Sequence, residues 1–304
     1  MTDDPLHAFF TVVSFVLGSM VGSFLNVCIS RWPNEQSIVV PRSRCPQCET
    51  PLRWADNIPL LSWVMLGGRC RYCGQPISMR YPLVEGLTAL LFLLIFLRFG
   101  FSDATLVYMA LAAGLVLVTF VDLADWTIPN EVTMPGIPIG IVCSMWVMFY
   151  PEFFDGGHSG MRIEYIYENV FHGLIGAFGG GLSLYLLDKI SLLVLKKPGM
   201  GFGDVKLLAM LGAFFGWIGV IIIVVVAATI GAVVGITIIM IERARGNKEA
   251  EHYIPFGPYL SLGGLVMMFF GGELFQWWQM VTAPPEPGVM LSTLWQAAAA
   301  HWLG

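Results

Sequence analysis

Eight apolar runs alternate with polar connectors along this chain, at about residues 8–29, 82–100, 104–121, 132–150, 168–188, 205–217, 218–241 and 256–279. A membrane-crossing helix needs roughly 20 such residues, a few fewer if short or re-entrant. The pattern therefore predicts an all-α polytopic membrane protein of about eight transmembrane helices. The sixth and seventh runs must be divided from one stretch that carries no charge from Leu207 to Ile241. Gly212, Gly216 and Gly219 offer places for the tight turn this requires. The first run follows Met1-Thr2-Asp3-Asp4, acidic where a cleavable signal peptide is basic, so a retained helix is expected.

Composition agrees with that pattern. Of 304 residues 56% are hydrophobic and 12% charged, with mean hydropathy +0.72, against about a quarter charged in soluble domains. Basic residues set the expected orientation. With the N-terminus outside, 14 of the 16 Lys and Arg fall on the cytoplasmic side, and only Arg98 and Arg162 fall outside. Asp122 and Asp204 are then both cytoplasmic. The net charge of −5 gives no sign of nucleic-acid binding.

One polar segment, residues 30–81, is long enough to fold by itself. It carries Cys45-Pro46-Gln47-Cys48 and Cys70-Arg71-Tyr72-Cys73, two CxxC knuckles separated by 21 residues. That spacing fits a zinc-ribbon-like site in which Cys45, Cys48, Cys70 and Cys73 hold one structural Zn. Such an ion staples a loop too short to bury a core. A pair of redox-active CxxC motifs is the alternative, but a reducing cytoplasm favours metal over disulfides. Cys28 and Cys143 lie in apolar runs and read as small buried or lipid-facing residues. Residues 151–167 read as an outer connector, and 280–304 as a Pro-containing tail on the outer surface.

No HExxH, GxSxG, P-loop or nucleotide-binding glycine motif occurs, which leaves carboxylates as the chemical candidates. Asp122, Asp125 and Glu131 cluster where the third run ends, and Pro129 prevents cheap continuation of that helix. Asp204 opens the sixth run within Gly201-Phe202-Gly203-Asp204-Val205-Lys206. Gly201 and Gly203 remove bulk beside it, so another backbone could approach closely. Two acids at the lip of membrane helices, facing each other, are the minimum for an aspartic protease. The plainer readings are that Asp204 is a helix N-cap, Asp122 an interfacial acid and Asp125 a solvated loop acid. Lys206 could be a snorkelling cation or could bias the local charge.

The motifs also follow, in order from about residue 15 to 262, those of a known family. Gly18 to Val27 with Arg31-Trp32-Pro33, the two cysteine knuckles, and Asp56-Asn57-Ile58-Pro59 resemble the type IV prepilin peptidases. So do Arg80-Tyr81-Pro82 with Glu85, Asp122 with Ile128-Pro129, the segment 201–206, and Ile254-Pro255-Phe256-Gly257-Pro258. The resemblance implies an intramembrane aspartic endopeptidase whose dyad is Asp122 and Asp204, in a transmembrane core spanning residues 82–279 behind a first helix at 1–29. Such enzymes cut the basic leader from type IV prepilins or pseudopilins after Gly, at the cytoplasmic face of the bacterial inner membrane. Many also methylate the new N-terminus with S-adenosylmethionine, though no residues of this sequence can be assigned to that donor.

Two features depart from the family pattern. Asn130 follows Pro129 where many members have Asp, and residues 151–167 and the tail after about 280 are longer than usual. Other classes make different demands. A proton-coupled transporter would use the acids as a relay near the bilayer midplane, and a scaffold would use the cysteine domain for docking with no chemistry. A presenilin-like protease would accept other membrane proteins as substrates.

Overall fold

The computed structural model describes residues 5–149, 170–196, 200–245 and 254–282. The connector at 151–167, nearly all of the tail from 280, and Arg162, Lys197 and Lys248 lie outside the described residues. Helix α1 (Pro5–Arg31) leads into the cysteine segment, which holds two 3-10 turns and the short α2 (Leu61–Met65). Then come α3 (Arg80–Phe99), α4 (Asp103–Asp125), α5 (Asn130–Phe149), α6 (Val170–Leu195), α7 (Phe202–Ala244) and α8 (Gly257–Thr282). Among the described residues the only β pairing is two isolated bridges, both in the cysteine segment.

Six of these helices are long and apolar enough to cross a membrane, with α7 counted once and α5 not among them. The 43 residues of α7 are too many for one crossing at 1.5 Å per residue. Gly216 breaks it, with φ 67° and ψ −176°, a conformation that costs a glycine little and other residues much. Residues 202–215 and 217–244 thus form two helices, and the middle glycine of the three candidates makes the turn. Counting both halves and α5, which contains Pro135 and Pro138, the bundle has eight long helices among the described residues.

A break inside a membrane leaves carbonyls that need partners. Ser144 on α5 donates to the carbonyl of Ala213, three residues before Gly216, at 3.0 Å. Beside it, Gly176 of α6 meets Gly212 of α7 with so little clearance that a Cβ on either would collide with the other's backbone. Leu115 and Val118 of α4, Leu207, Leu208 and Leu211 of α7, and Leu260 of α8 are fully enclosed, so the core lies where these three helices meet. The chain reverses between α3 and α4 over three residues. The C-terminal end of α4 therefore lies at the same end of the bundle as the end of α1, the start of α3 and the cysteine segment.

Candidate active site and metal centre

Asp122 occupies the last turn of α4. The helix stops at Trp126, in the left-handed region (φ 57°), whose N–H bonds back to the Asp122 carbonyl at 3.0 Å. Termination thus comes three residues before Pro129, which instead starts α5 by accepting from the Thr133 N–H at 3.3 Å. The Asp122 carboxylate is 5% exposed, and its Oδ2 accepts the N–H of Gly257, the first residue of α8, at 3.0 Å. A helix N-terminus presents free N–H groups and a positive dipole end, a favourable place for a carboxylate. A Cβ at position 257 would lie 2.6 Å from that oxygen, so a larger residue there would push the carboxylate aside.

Asp204 is not the N-cap of α7. Gly201 is, and Asp204 sits three residues on, reaching back to accept the Gly201 N–H at 3.2 Å while its own N–H donates to the Gly201 carbonyl at 3.1 Å. This reciprocal arrangement fixes the acid at the mouth of the helix, where it is 8% exposed. Ile128, in the α4–α5 connection, brings the starts of α7 and α8 together. A Cβ on Gly203 would stand 2.9 Å from the Ile128 Cβ, and one on Gly257 3.2 Å from its Cδ1. Asp122 and Asp204, far apart in sequence, are thus drawn to one junction, since Ile128 lies against both Gly203, the neighbour of Asp204, and Gly257, which bonds to Asp122. Both are at helix ends and not mid-span.

The remaining acids of the cluster, Asp125 and Glu131, are exposed. Lys206 has partners on α5 and on its own helix. Its Nζ donates to the Asn130 Oδ1 and lies 5.4 Å from the Phe202 ring centre, tying the start of α7 to the start of α5. Asn130 therefore supplies the acceptor oxygen that holds Lys206.

The cysteine segment builds two matching loops. In the first, Cys45 N–H bonds to the Thr50 carbonyl at 3.1 Å and Glu49 N–H to the Cys45 carbonyl at 2.9 Å, with Glu49 left-handed. In the second, Cys70 N–H bonds to Gln75 and Gly74 N–H to Cys70, both at 2.9 Å, with Gly74 left-handed. Each loop aims two sulfurs inward, and the four Sγ atoms lie within 4.8 Å of one another. A tetrahedral zinc thiolate site has sulfurs about 3.8 Å apart, given Zn–S bonds of about 2.3 Å. The Cys45–Cys73 separation of 3.9 Å already has that value, so the donor set fits such an ion. Hydrogen bonding at Thr50 brings the Cys48 thiol down to about 6, and backbone hydrogen bonds at Cys73 and Tyr72 lower Cys70. Cys73 goes the other way, to about 11: a backbone hydrogen bond at Gln75 favours its thiolate, but burial and the three neighbouring sulfurs outweigh it. A divalent cation would offset that crowding of charge.

Two contacts hold this segment in place. Arg71 pairs with the buried Asp56 at 2.8 Å, and Glu85, near the start of α3, accepts the Leu60 N–H at 2.7 Å.

Structurally this is a helical, multi-pass membrane protein with two nearly buried carboxylates and a four-cysteine cluster at one end of its bundle. Residues 16–99 match the model of the bacterial peptidase A24 N-terminal domain, and residues 109–236 that of the type IV leader peptidase family. The chain is similar to the prepilin leader peptidase/N-methyltransferase of Myxococcus xanthus, 43% identical over 243 residues, covering 80% of this chain and 67% of that protein. The protein of the same name from Aeromonas hydrophila is 35% identical over 294 residues, covering 89% and 93%. That from Pseudomonas putida is 32% identical over 290 residues, covering 88% and 93%. No solved structure matches. The chain belongs to the type IV leader peptidase family and is a membrane protease. The second family match ends before α8, so Gly257, which holds Asp122, lies outside it.

Proposed function

We propose that this protein removes the leaders of type IV prepilins or pseudopilins, using Asp122 and Asp204 to activate water. The observation that carries the reading is the convergence of these two nearly buried acids from α4 and α7, each held by one backbone N–H. One carboxylate, ionised, takes a proton from water as its oxygen attacks the scissile carbonyl; the other, protonated, supplies a proton to that carbonyl oxygen. As the tetrahedral intermediate collapses, the C–N bond breaks and the amine leaves with a proton. Glycine at 203 and 257 lets Ile128 and the Asp122 carboxylate pack directly against the starts of α7 and α8, which holds the two acids near one another.

Positive charges near the helix ends support a reading in which this end of the bundle faces the cytoplasm, with the N-terminus outside, in the bacterial inner membrane. A substrate with a short basic leader and a long apolar helix would then present its cut site at this depth. Cys45, Cys48, Cys70 and Cys73 would hold a structural Zn; a closed four-thiolate site leaves no position for a reacting water. The names of the relatives support a second activity, N-methylation of the new N-terminus with S-adenosylmethionine. The reading is tested by incubating the purified protein with a synthetic prepilin segment and weighing the products. Cleavage after Gly, lost when that Gly is replaced by Val, is expected; cleavage indifferent to that residue or to the basic leader would refute it.

A further inference from the structure

The short helix α2 turns its apolar side chains outward. Leu61, Val64 and Met65 are each more than half exposed. Trp63 alone turns inward, its ring against Gly68 and its Nε1 donating to the Ile77 carbonyl at 3.4 Å. The residue before α2 sets the level at which this face lies. Leu60 donates its N–H to Glu85 at 2.7 Å, and its Cδ2 stands 3.7 Å from where a Cβ on Gly86 would be. Glu85 and Gly86 belong to α3, a spanning helix of 20 residues. Such a helix is about 30 Å long, the thickness of a bilayer's hydrocarbon core. Glu85 and Gly86 lie about 8 Å along it from Arg80, so α2 starts below the level at which α3 enters the membrane. Leu83, Leu87, Leu90, Leu94 and Leu97 form the exposed stripe of α3, at the spacing of one helix face. Gly86 is one turn from both Leu83 and Leu90, so α2 begins at the flank of that stripe.

We propose that Leu61, Val64 and Met65 anchor the cysteine segment in the bilayer surface, among anionic phospholipids whose headgroups Arg69 holds. In water these three side chains would be an uncovered apolar patch. At the boundary between headgroups and acyl chains they extend the lipid-facing surface of α3. Charge selects the lipid. Residues 32–79 hold five arginines and three acids. Arg44 pairs with Glu49 and Arg71 with Asp56, which leaves Arg42, Arg53 and Arg69 against Glu35 alone. Arg69 is exposed and follows α2 directly, after the turn that Gly67 and Gly68 make in the left-handed region. A basic side chain there lays its stem along the apolar surface and offers its charge to a phosphate. The anchor goes beyond the hydrolytic reading and does not depend on it: it fixes how the cysteine segment lies on the membrane, whatever the two acids do.

The test is photo-crosslinking of the full-length protein in nanodiscs of equal phosphatidylglycerol and phosphatidylcholine. A benzophenone amino acid replaces Val64, Met65 or, as a control in the first cysteine loop, the exposed Gln47. Adducts are weighed after irradiation. Lipid adducts are expected at 64 and 65 and should be scarce at 47, with circular dichroism unchanged in all three proteins. Phosphatidylglycerol should outnumber phosphatidylcholine among them. Arg69→Gln should lower that ratio about fivefold, the worth of one basic residue at an anionic surface. Lipid adducts at 64 and 65 no more frequent than at 47 would overturn the anchor. So would adducts to a second copy of the chain or, with a prepilin present, to its apolar helix, which would make this face a protein-docking surface. Equal shares of the two lipids, unmoved by Arg69→Gln, would overturn the assignment of anionic headgroups to Arg69.

Discussion

Between residues 32 and 79 the only buried hydrophobic side chains are Cys45 and Cys70, whereas α4 alone buries ten, from Ala104 to Val121. The two regions sit at the same end of the molecule but are ordered by different forces. The cysteine segment has two hairpin loops, a buried Asp56–Arg71 pair and four converging sulfurs, with almost no apolar core. The carboxylate site is set by packing, from three helix ends brought together around Ile128 and two glycines. Metal should therefore decide the order of the first region and leave the second largely intact. Single atoms should decide the second.

That contrast can be broken in several ways. The largest effect is expected for Asp122→Asn or Asp204→Asn, each lowering the cleavage rate by about 10³-fold or more, as for loss of a general acid or base. Because the pair acts as a unit, the double variant should be hardly worse than either single one. Additive losses measured under single-turnover conditions would argue that the acids act separately. Next comes Gly257→Ala, whose methyl would press on the Asp122 carboxylate; a fall of about 10²-fold in kcat is expected, the cost of misplacing a catalytic group by about 1 Å. Cleavage kinetics at normal protein abundance will check it.

Stripping the metal with a chelator should open residues 40–75 to proteolysis while the helix content read by circular dichroism barely changes. Cleavage should then fall by about tenfold or less, an indirect effect of losing a structural ion. Full activity after verified removal would show that the two regions are independent. The smallest effect is expected for Lys206→Met, which unties α7 from Asn130: a loss of about threefold, consistent with an exposed polar link. Asn130→Asp should retain activity, since it keeps the acceptor.

The cysteine segment was largely legible in the sequence because its ligands announce themselves by local spacing, CxxC twice. The eight-helix architecture is legible too, since apolar length is a local property, and the break in α7 falls on Gly216, one of the three glycines of that run able to turn the chain. Of the candidate site, only the two acids stand out in the sequence. That Asp204 is the third residue of its helix and not the cap, and that α4 ends at Trp126 before Pro129 acts, depend on backbone angles within one turn. Gly257 and Ile128 stood in matching motifs, but their contacts with Asp122 and Gly203 arise only when α4, α7 and α8 pack. The same holds for Glu85, whose bond to the Leu60 N–H forms only when the cysteine segment packs against the start of α3.

The most direct measurement is cleavage of a co-expressed prepilin by wild type, Asp122→Asn, Asp204→Asn and Asp125→Asn at matched membrane abundance. The structure predicts loss of cleavage in the first two variants and near-normal cleavage in the third, whose side chain is exposed. Retained cleavage in either of the first two, or its loss in Asp125→Asn, would contradict the pairing of Asp122 with Asp204 as the hydrolytic site.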